Sequence, residues 1–501
     1  MILGASADSA ASPRWLSVGL RIAGGLVVVV YLAWLFTQIS PHAGGSDPSG
    51  YLNSARLFSE GRITATAREL PGKPSGGYGA HATMPLGFLV LAPGTLVPTY
   101  PAGYPLELLA GSLLGWRLAP KAVSLVLVVA SGWLLMLFCR RLGLSRPAAV
   151  GAALVLGACP LFLYGALLPM SDLSAMVWTL AALLVSFEAP NSWRKAVACG
   201  AFTGFAVLVR PTNVLFFLPL LVAVRGNWRA WAGIVAGGLP FGVFFLLFNW
   251  RAYGSPLATG YGDVTVEFGT RYLLSNLRAF GQWLPALLSP LVALAVLAPF
   301  TRIGRRREFL AAGTWAVGLI ALYAFYSHSG ETWWYLRFLL PVFPVLIVAA
   351  FAVGDEAGRR SPGPVWGKTV AGIAAMGFVL WSQIGQVRDL DVLSIEPGER
   401  AYPEAARWAK QNLPPGAAIF CMQVSGAFFF YTDFTLCRWD LVAPEKLPEL
   451  RRALHERARP IYAVLFDFEK DPALQRLGGE WHQLVRLGEV TVWQQVEQPS
   501  S

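Results

Sequence analysis

The first three-quarters of the chain alternate long apolar stretches with short polar loops. The apolar stretches predict membrane-spanning helices. We interpret the first of them as a retained helix and not as a cleaved signal peptide. The stretches cover residues 22–36, 119–138, 148–168, 173–187, 196–209, 214–224, 230–248, 283–300, 309–326, 338–353 and 365–381. Residues 81–118 are also apolar, but five prolines interrupt them, so they form either two short spans or a re-entrant, surface-lying segment. The total is eleven or thirteen spans, of which we favour thirteen.

The last part of the chain has a different pattern. Short apolar segments typical of strands alternate with helical segments, which indicates a small soluble α/β domain. We expect helices at 403–412 and 444–457, an apolar aromatic stretch at 427–431, and strands at 417–422, near Leu436, at 461–466, at 483–486 and at 489–495. The predicted fold is therefore an all-α polytopic membrane domain over 1–386, followed by an α/β domain over 387–501. That second domain is expected to cover a membrane site as a structural or substrate-guiding cap.

Composition and charge support this division and give it an orientation. Of 501 residues, 55% are hydrophobic and only 14% are charged, which excludes a soluble protein. The formal net charge is +11, but the basic residues lie in short loops at 139–146, 194–195, 225–229, 302–307 and 359–360, a pattern typical of cytoplasmic loops and not of a nucleic-acid-binding surface. The N-terminus is then cytoplasmic and the C-terminal domain extracytoplasmic. A disulfide can form in that compartment, so the sequence allows Cys421 and Cys437 to be either bonded or free.

The first external loop, 39–80, holds the most informative residues. Asp47 follows the first span closely, at a depth where a carboxylate stays ionised while it faces a substrate anchored in the bilayer. Apolar residues at helical spacing predict a helix lying along the membrane surface: Tyr51, Leu52, Ala55, Leu57 and Phe58. A simpler role for Asp47 is to cap this helix ahead of Pro48.

Other candidate residues lie in or beside the external segments. Tyr100 and Tyr104 belong to a proline-flanked aromatic turn that either shapes a sugar or isoprenoid pocket or only breaks a helix. Asp172 opens a later span, where it caps the helix or faces a polar cavity. The remaining candidates for substrate binding are Tyr51, Asn249, Tyr261, His328 and Glu331. Arg337 opens a span from the external side, where it either contacts a phosphate or reaches the headgroups.

The order of these motifs resembles the GT-C glycosyltransferases, most of all the protein O-mannosyltransferase and lipid A aminoarabinose transferase superfamily. The motifs are Asp after span one, Tyr-Pro-Ala-Gly-Tyr-Pro, Asp at a later span junction, Leu-Val-Arg-Pro-Thr, Phe-Asn with Gly-Ser-Pro, and Arg-Phe-Leu-Leu-Pro. The resemblance implies transfer of a sugar from a polyprenyl-phosphate donor to a lipid, glycan or protein hydroxyl outside the membrane, with inversion. By position, the resemblance makes Asp47 the catalytic acidic residue of the first external loop, Asp172 the second acid and Arg337 a donor-phosphate contact. Since the acceptor hydroxyl must lose its proton, we expect Asp47 to act as the base.

The chain departs from that family in two places. Pro48 stands where many members have a second acid, and Tyr100-Pro101-Ala102 replaces a Lys-Pro-Pro signature, which leaves Lys73 and His81 as alternative phosphate contacts. No His, Cys or Asp cluster requires a metal, although a divalent metal is left open. A lipid or sugar transporter is the main alternative function, because it too needs charged residues and broken helices in the membrane. A catalytically silent relative whose C-terminal domain recruits a partner is another.

Overall fold

The computed structural model describes residues 14–73, 77–79 and 81–496. Its α-helices are α1 Arg14–Gln38, α2 Ser46–Ser59, α3 Gly103–Gly111, α4 Ala119–Arg141, α5 Arg146–Ala158, α6 Pro160–Leu167, α7 Ser171–Ser186, α8 Trp193–Val209, α9 Phe217–Val224, α10 Trp228–Tyr253, α11 Leu273–Leu288, α12 Arg307–Ala324, α13 Phe343–Arg360, α14 Val365–Asp389, α15 Ile395–Asn412, α16 Ser425–Tyr431, α17 Leu447–His455 and α18 Asp467–Leu477. Longer 3₁₀ segments are Pro211–Phe216, Pro290–Phe300 and Trp333–Val342.

Apolar helices form the body of the molecule, as the sequence predicts. Four helical segments in the described part of the chain are long and apolar enough to cross a membrane: α4, α10, α14, and Trp333–Arg360, which includes α13. Two further candidates are bent, by 61° between α5 and α6 and by 103° between Thr270–Leu288 and Pro290–Phe300. Several other predicted spans, α7 among them, are shorter apolar helices. The protein is a polytopic membrane protein, while the number of its crossings stays a prediction.

The region 81–118 does not form two spans. It begins with a hairpin of β2 (Phe88–Ala92) and β3 (Thr95–Pro98), to which the short strand β1 (Ala65–Thr66) is added. It continues as α3, whose nine residues extend for only about 14 Å, half the thickness of a hydrocarbon core. The preference for thirteen spans is therefore wrong, because this segment supplies neither of the two additional crossings.

The predicted cytoplasmic loops meet at one end of the helical body. Arg141 lies 3.4 Å from Glu188 and 3.6 Å from Glu308, which joins three loops. Arg306 donates to the backbone carbonyl of Arg141, and Arg307 donates to that of Val222. Loops that converge in this way lie on one side of a membrane, as the distribution of basic residues requires.

The C-terminal segment builds a five-stranded mixed sheet. Its strands are β4 (Ala418–Cys421), β5 (Thr435–Arg438), β6 (Ile461–Phe466), β7 (Trp481–Leu487) and β8 (Val490–Gln495), in the order β5-β4-β6-β8-β7. The first three are parallel, and β8 joins them antiparallel. Helix α18 was not predicted, whereas every predicted strand is present. Cys421 and Cys437 are both buried free thiols, so the disulfide is absent.

The first external loop lies between the helical body and this sheet. Asn53 of α2 donates to the backbone carbonyl of Gly426 at 3.0 Å, and Arg68 donates to that of Phe429 at 2.8 Å. Lys73 forms a 2.7 Å ion pair with Glu449 of α17. The helix predicted in this loop is therefore present, but α2 is covered by protein along most of its length, from Pro48 to Ala55.

Candidate functional site

The site begins at the first turn of α2, where Asp47 is the second helical residue. Gly45 occupies the N-cap position and no side chain caps the helix, so the alternative role of Asp47 as a helix cap is wrong. The carboxylate instead lies 2.6 Å from a guanidinium nitrogen of Arg337. A negative charge in the first turn also interacts favourably with the helix dipole. The side chain is thus held by an ion pair and by its position in the helix.

The environment of Asp47 favours its charged form. Burial by itself raises the pKa of this carboxyl, but Arg337 and the Tyr100 hydroxyl hold it below its usual value. The Tyr100 hydroxyl also shares a 2.8 Å hydrogen bond with Ser46, the first residue of α2. Asp47 is therefore an anion over the whole physiological range while Arg337 remains beside it.

A second ion pair lies next to the first. Asp172, at the start of α7, is 2.6 Å from Arg210, which ends α8, and the carboxylate side chain is only 1% exposed. Arg210 also donates to the Ser171 hydroxyl at 3.1 Å, and Tyr51 of α2 donates to the same hydroxyl at 2.8 Å. These bonds connect α2, α7 and α8 at one point. In the sequence, Arg210 was noted only as part of the Leu-Val-Arg-Pro-Thr motif between two apolar stretches. Its role in this site was therefore not predicted.

The two arginines converge on one aromatic ring and retain free donors. The guanidinium carbons of Arg337 and Arg210 lie 5.3 Å and 5.2 Å from the centre of the Phe338 ring. Arg337 Nε and Arg210 Nη1 are buried and have no hydrogen-bond partner among the described residues. Since a buried, unpaired donor is unfavourable, this arrangement is suited to an anion that accepts from both guanidinium groups.

Tyrosines form one wall of the site. The Tyr51 ring lies 4.7 Å from that of Tyr100 and 5.1 Å from that of Tyr104, measured between ring centres. The Tyr261 ring is 6.4 Å from Tyr100, and about half of this residue is exposed. Tyr51 and Tyr100 therefore lie beside Asp47 as expected from the sequence, Tyr104 packs behind Tyr51, and Tyr261 stands at the outer edge.

Three predicted residues lie outside this group. Asn249 donates to the backbone carbonyl of Pro256 at 3.3 Å and lines a cavity of about 10 Å³, which has no room for a sugar. His328 and Glu331 are 2.6 Å apart, and the Tyr335 ring stacks on His328. Among the described residues, none of these side chains forms an ion pair or hydrogen bond with Asp47 or Arg337.

The proposed substitutes for a phosphate-binding lysine are also elsewhere. Lys73 is paired with Glu449 in the C-terminal segment, and His81 is exposed. Arg210 is the second cation that the structure brings to the site. The sequence does contain a signal for Arg210. It lies between two apolar stretches, at the end of α8, whereas the basic loop lies at the start of the same helix.

The C-terminal segment contributes a buried acid to the beginning of α2. Glu399 of α15 lies against Gly44, so closely that a β-carbon on that glycine would meet its carboxylate. Burial raises the pKa of Glu399 to about 8, with the Gly45 amide opposing the shift. At neutral pH this group is therefore largely protonated. In the part of the chain that the structure describes, no group of three His, Cys, Asp or Glu side chains is arranged to hold a metal ion.

Solved structures share this architecture over nearly the whole chain. ArnT from Cupriavidus metallidurans bound to undecaprenyl phosphate superimposes with a TM-score of 0.61 at 18% identity, covering 97% of this chain and 99% of ArnT. The chain has the GT-C fold. The resemblance drawn from the motifs is confirmed at this level.

More distant structures have the same fold. The Archaeoglobus fulgidus oligosaccharyltransferase tethered with an acceptor peptide matches with a TM-score of 0.55 at 11% identity, over 90% of this chain and 70% of the other. The arabinofuranosyltransferase AftD from Mycobacteria matches with a TM-score of 0.54 at 14% identity, over 97% and 42%. No family model matches the chain, and no curated protein matches its sequence.

Proposed function

We propose that this protein is a membrane glycosyltransferase that moves a sugar from a polyprenyl-phosphate donor to an acceptor hydroxyl on the extracytoplasmic face. The observation that carries the proposal is the pair of arginines with unpartnered buried donors beside Asp47. A lipid-linked donor cannot leave the bilayer, so its transferase needs phosphate-binding cations and a base at the membrane exit. The GT-C neighbour ArnT, which was solved with undecaprenyl phosphate, supports the class of donor.

In the proposed reaction, the donor phosphate binds between Arg337 and Arg210. Arg337 then shares its guanidinium between the phosphate and Asp47, which weakens the ion pair and raises the basicity of the carboxylate. Asp47 takes the proton of the acceptor hydroxyl while that oxygen bonds to the anomeric carbon. The bond between the anomeric carbon and the phosphate oxygen breaks, and its electron pair leaves with the polyprenyl phosphate. The two arginines stabilise this charge as it develops.

Asp172 positions Arg210 in this scheme. Its ion pair fixes one edge of the guanidinium, while Ser171 accepts from Nε, so the free Nη1 has a defined direction. The tyrosines beside α2 offer ring faces and hydroxyls for a sugar. The shape of this wall selects the sugar, a hexose or a pentose.

Replacing Asp47 by asparagine tests the proposal. The substitution keeps the size of the side chain but removes the base, so we expect sugar transfer to fall by about 10² to 10⁴-fold. The assay uses membranes supplied with a polyprenyl-phosphate sugar and measures the new glycosidic bond by mass spectrometry. Asp433→Asn, at an exposed position in the C-terminal segment, is the matched control and should transfer at the normal rate.

Two results contradict the proposal. Full transfer by Asp47→Asn would remove Asp47 from the chemistry. Movement of the lipid-linked sugar across the membrane by the unaltered protein, without a new glycosidic bond, would assign the site to a transporter instead.

A further inference from the structure

A polar cavity of about 420 Å³ lies outside the site described above. It forms where α1 ends and α4 begins, and α15 lines its other side. Thr37 and His42 line it from the side of α1, and Arg117 and Lys121 line it from the start of α4. Nothing in the proposed transfer reaction uses these side chains.

Helix α15 presents one face to this cavity and the opposite face to the C-terminal sheet. The residues that line the cavity recur at helical spacing: Glu396, Arg400, Pro403, Glu404 and Arg407. The residues that pack in the core beside the sheet lie between them in sequence: Ala401, Tyr402, Ala405, Ala406 and Ala409. The charged face of α15 is therefore held towards the cavity by the packing of its apolar face.

The cavity has an excess of unpaired positive charge. Arg400 is paired with Glu396 at 2.8 Å, and His42 lies 3.7 Å from the same carboxylate. Arg117, Lys121 and Arg407 form no ion pair in the described part of the chain, and Lys121 donates only to the Phe36 carbonyl. Three cations thus face one remaining acid, Glu404. An anion entering the cavity meets unpaired donors and little opposing charge.

The apolar surface beside the cavity places it at the level of the lipid headgroups. Leu113 and Leu114, just before Arg117, are 89% and 63% exposed, and Leu118 after it is also exposed. Large apolar side chains with this exposure are typical of a surface in contact with acyl chains. A lipid whose tails pack there has its phosphate at the height of Arg117 and Lys121.

We propose that this cavity binds the phosphate of an anionic membrane phospholipid, separately from the donor-phosphate site. Basic pockets beside membrane helices bind such headgroups, and each cation near the surface contributes. The bound lipid would join α1 and α4 of the membrane body to α15. The proposal does not depend on the transfer reaction.

Native mass spectrometry of the full-length protein in detergent tests it. The probes are palmitoyl-oleoyl phosphatidylglycerol and the corresponding phosphatidylcholine, whose phosphate is balanced by choline. We expect phosphatidylglycerol to bind about tenfold more tightly, and the double variant Arg117→Gln/Arg407→Gln to lose this preference. Both side chains are exposed, so the variant should fold normally. The matched control is Arg194→Gln/Arg229→Gln, two exposed arginines at the opposite end, which should keep the preference.

Three outcomes overturn the proposal. Equal binding of the two lipids would show that the anion is not recognised. Equal losses in the double variant and its control would show general surface attraction instead of a site. Inorganic phosphate that displaces phosphatidylglycerol at equal concentration would assign the cavity to the free ion and not to a lipid.

Discussion

At the scale of single residues, the site consists of two neighbouring ion pairs, each formed by one acid and one arginine. A buried ion pair is costly to desolvate, and removing one partner leaves an uncompensated charge. Asp172 and Arg210 are held in this way by residues from different helices. This desolvation cost is consistent with a site that binds a charged substrate. Apolar residues in place of the ion pair would avoid the cost, but they would offer no hydrogen-bond donors to that substrate.

Glu399 gives a prediction about pH at this scale. Its folded pKa of about 8 is above the ordinary glutamate pKa of 4.5, so folding favours the protonated form. The stability that the protonated carboxyl contributes is present below pH 4.5 and is lost as the pH rises through 8. Glu399→Gln removes this titration. We expect the variant to melt about 2–4 °C above the unaltered protein at pH 8, and the two to agree near pH 4.5, measured by thermal unfolding in detergent.

Gln411→Asn, at an exposed position on the same helix that carries no titratable group, is the control for this experiment, and its difference from the unaltered protein should not change with pH. A constant difference between Glu399→Gln and the unaltered protein from pH 4.5 to pH 8 would contradict the assigned titration.

The residues of the site were only partly predictable. Asp47, Asp172 and Arg337 were identified because a charged side chain beside a membrane span is unfavourable unless it has a partner or a function. Their pairing was not, since it depends on contacts between elements far apart in the chain. Glu399 was missed because an acid within an amphipathic helix usually faces water. Only the packing of α15 against Gly44 makes it unusual.

At the scale of elements, α2 is positioned by a close contact with α16. A β-carbon on Gly426 would collide with the Ser49 hydroxyl and lie 2.8 Å from the backbone oxygen of Leu86. Because the Leu86 backbone cannot move aside easily and Ser49 belongs to α2, Gly426→Ala must displace α16 from both. We expect a loss of about 1–3 kcal/mol in the free energy of unfolding and reduced transfer activity.

Gly416→Ala is the control in the same segment, because a β-carbon there would meet no atom within 4 Å. Chemical denaturation and the transfer assay should leave it unchanged. Equal stability of both variants would show that α2 does not depend on this contact.

The elements that the sequence did not predict have physical causes. In 88–98, the apolar residues of a short hairpin resemble part of a membrane span when only hydrophobicity is considered. Helix α18 contains Pro472 and several charges, which weaken its helical pattern. Long apolar helices such as α4 and α14 were predicted because their length alone identifies them.

At the scale of the whole molecule, orientation in the membrane is still a prediction. The five native cysteines are buried, so labelling by a maleimide should have a low background. We expect Gly416→Cys to react with a membrane-impermeant maleimide in intact cells, since the C-terminal segment is proposed to be external. Gly226→Cys, at the end where the basic loops meet, should react only after the cells are permeabilised.

Both glycines have open space around them, which makes the two variants a matched pair. Labelling of Gly226→Cys in intact cells, with protection of Gly416→Cys, would show that the protein has the opposite orientation in the membrane to the one proposed. The unaltered protein, whose five cysteines are buried, gives the background labelling in the same gel.

The covering of α2 by the C-terminal segment also sets an order of events during synthesis. Asn53 and its partner Gly426 are 373 residues apart, and Lys73 and Glu449 are 376 apart. At ordinary translation rates, this separation corresponds to a delay on the order of tens of seconds. For most of that delay the nascent chain contains Asp47 but not Arg337, and throughout it lacks α16 and α17, which hold α2 and the loop after it. The protein therefore assembles its charged centre late, and a chain interrupted before residue 418 lacks the lid that completes it.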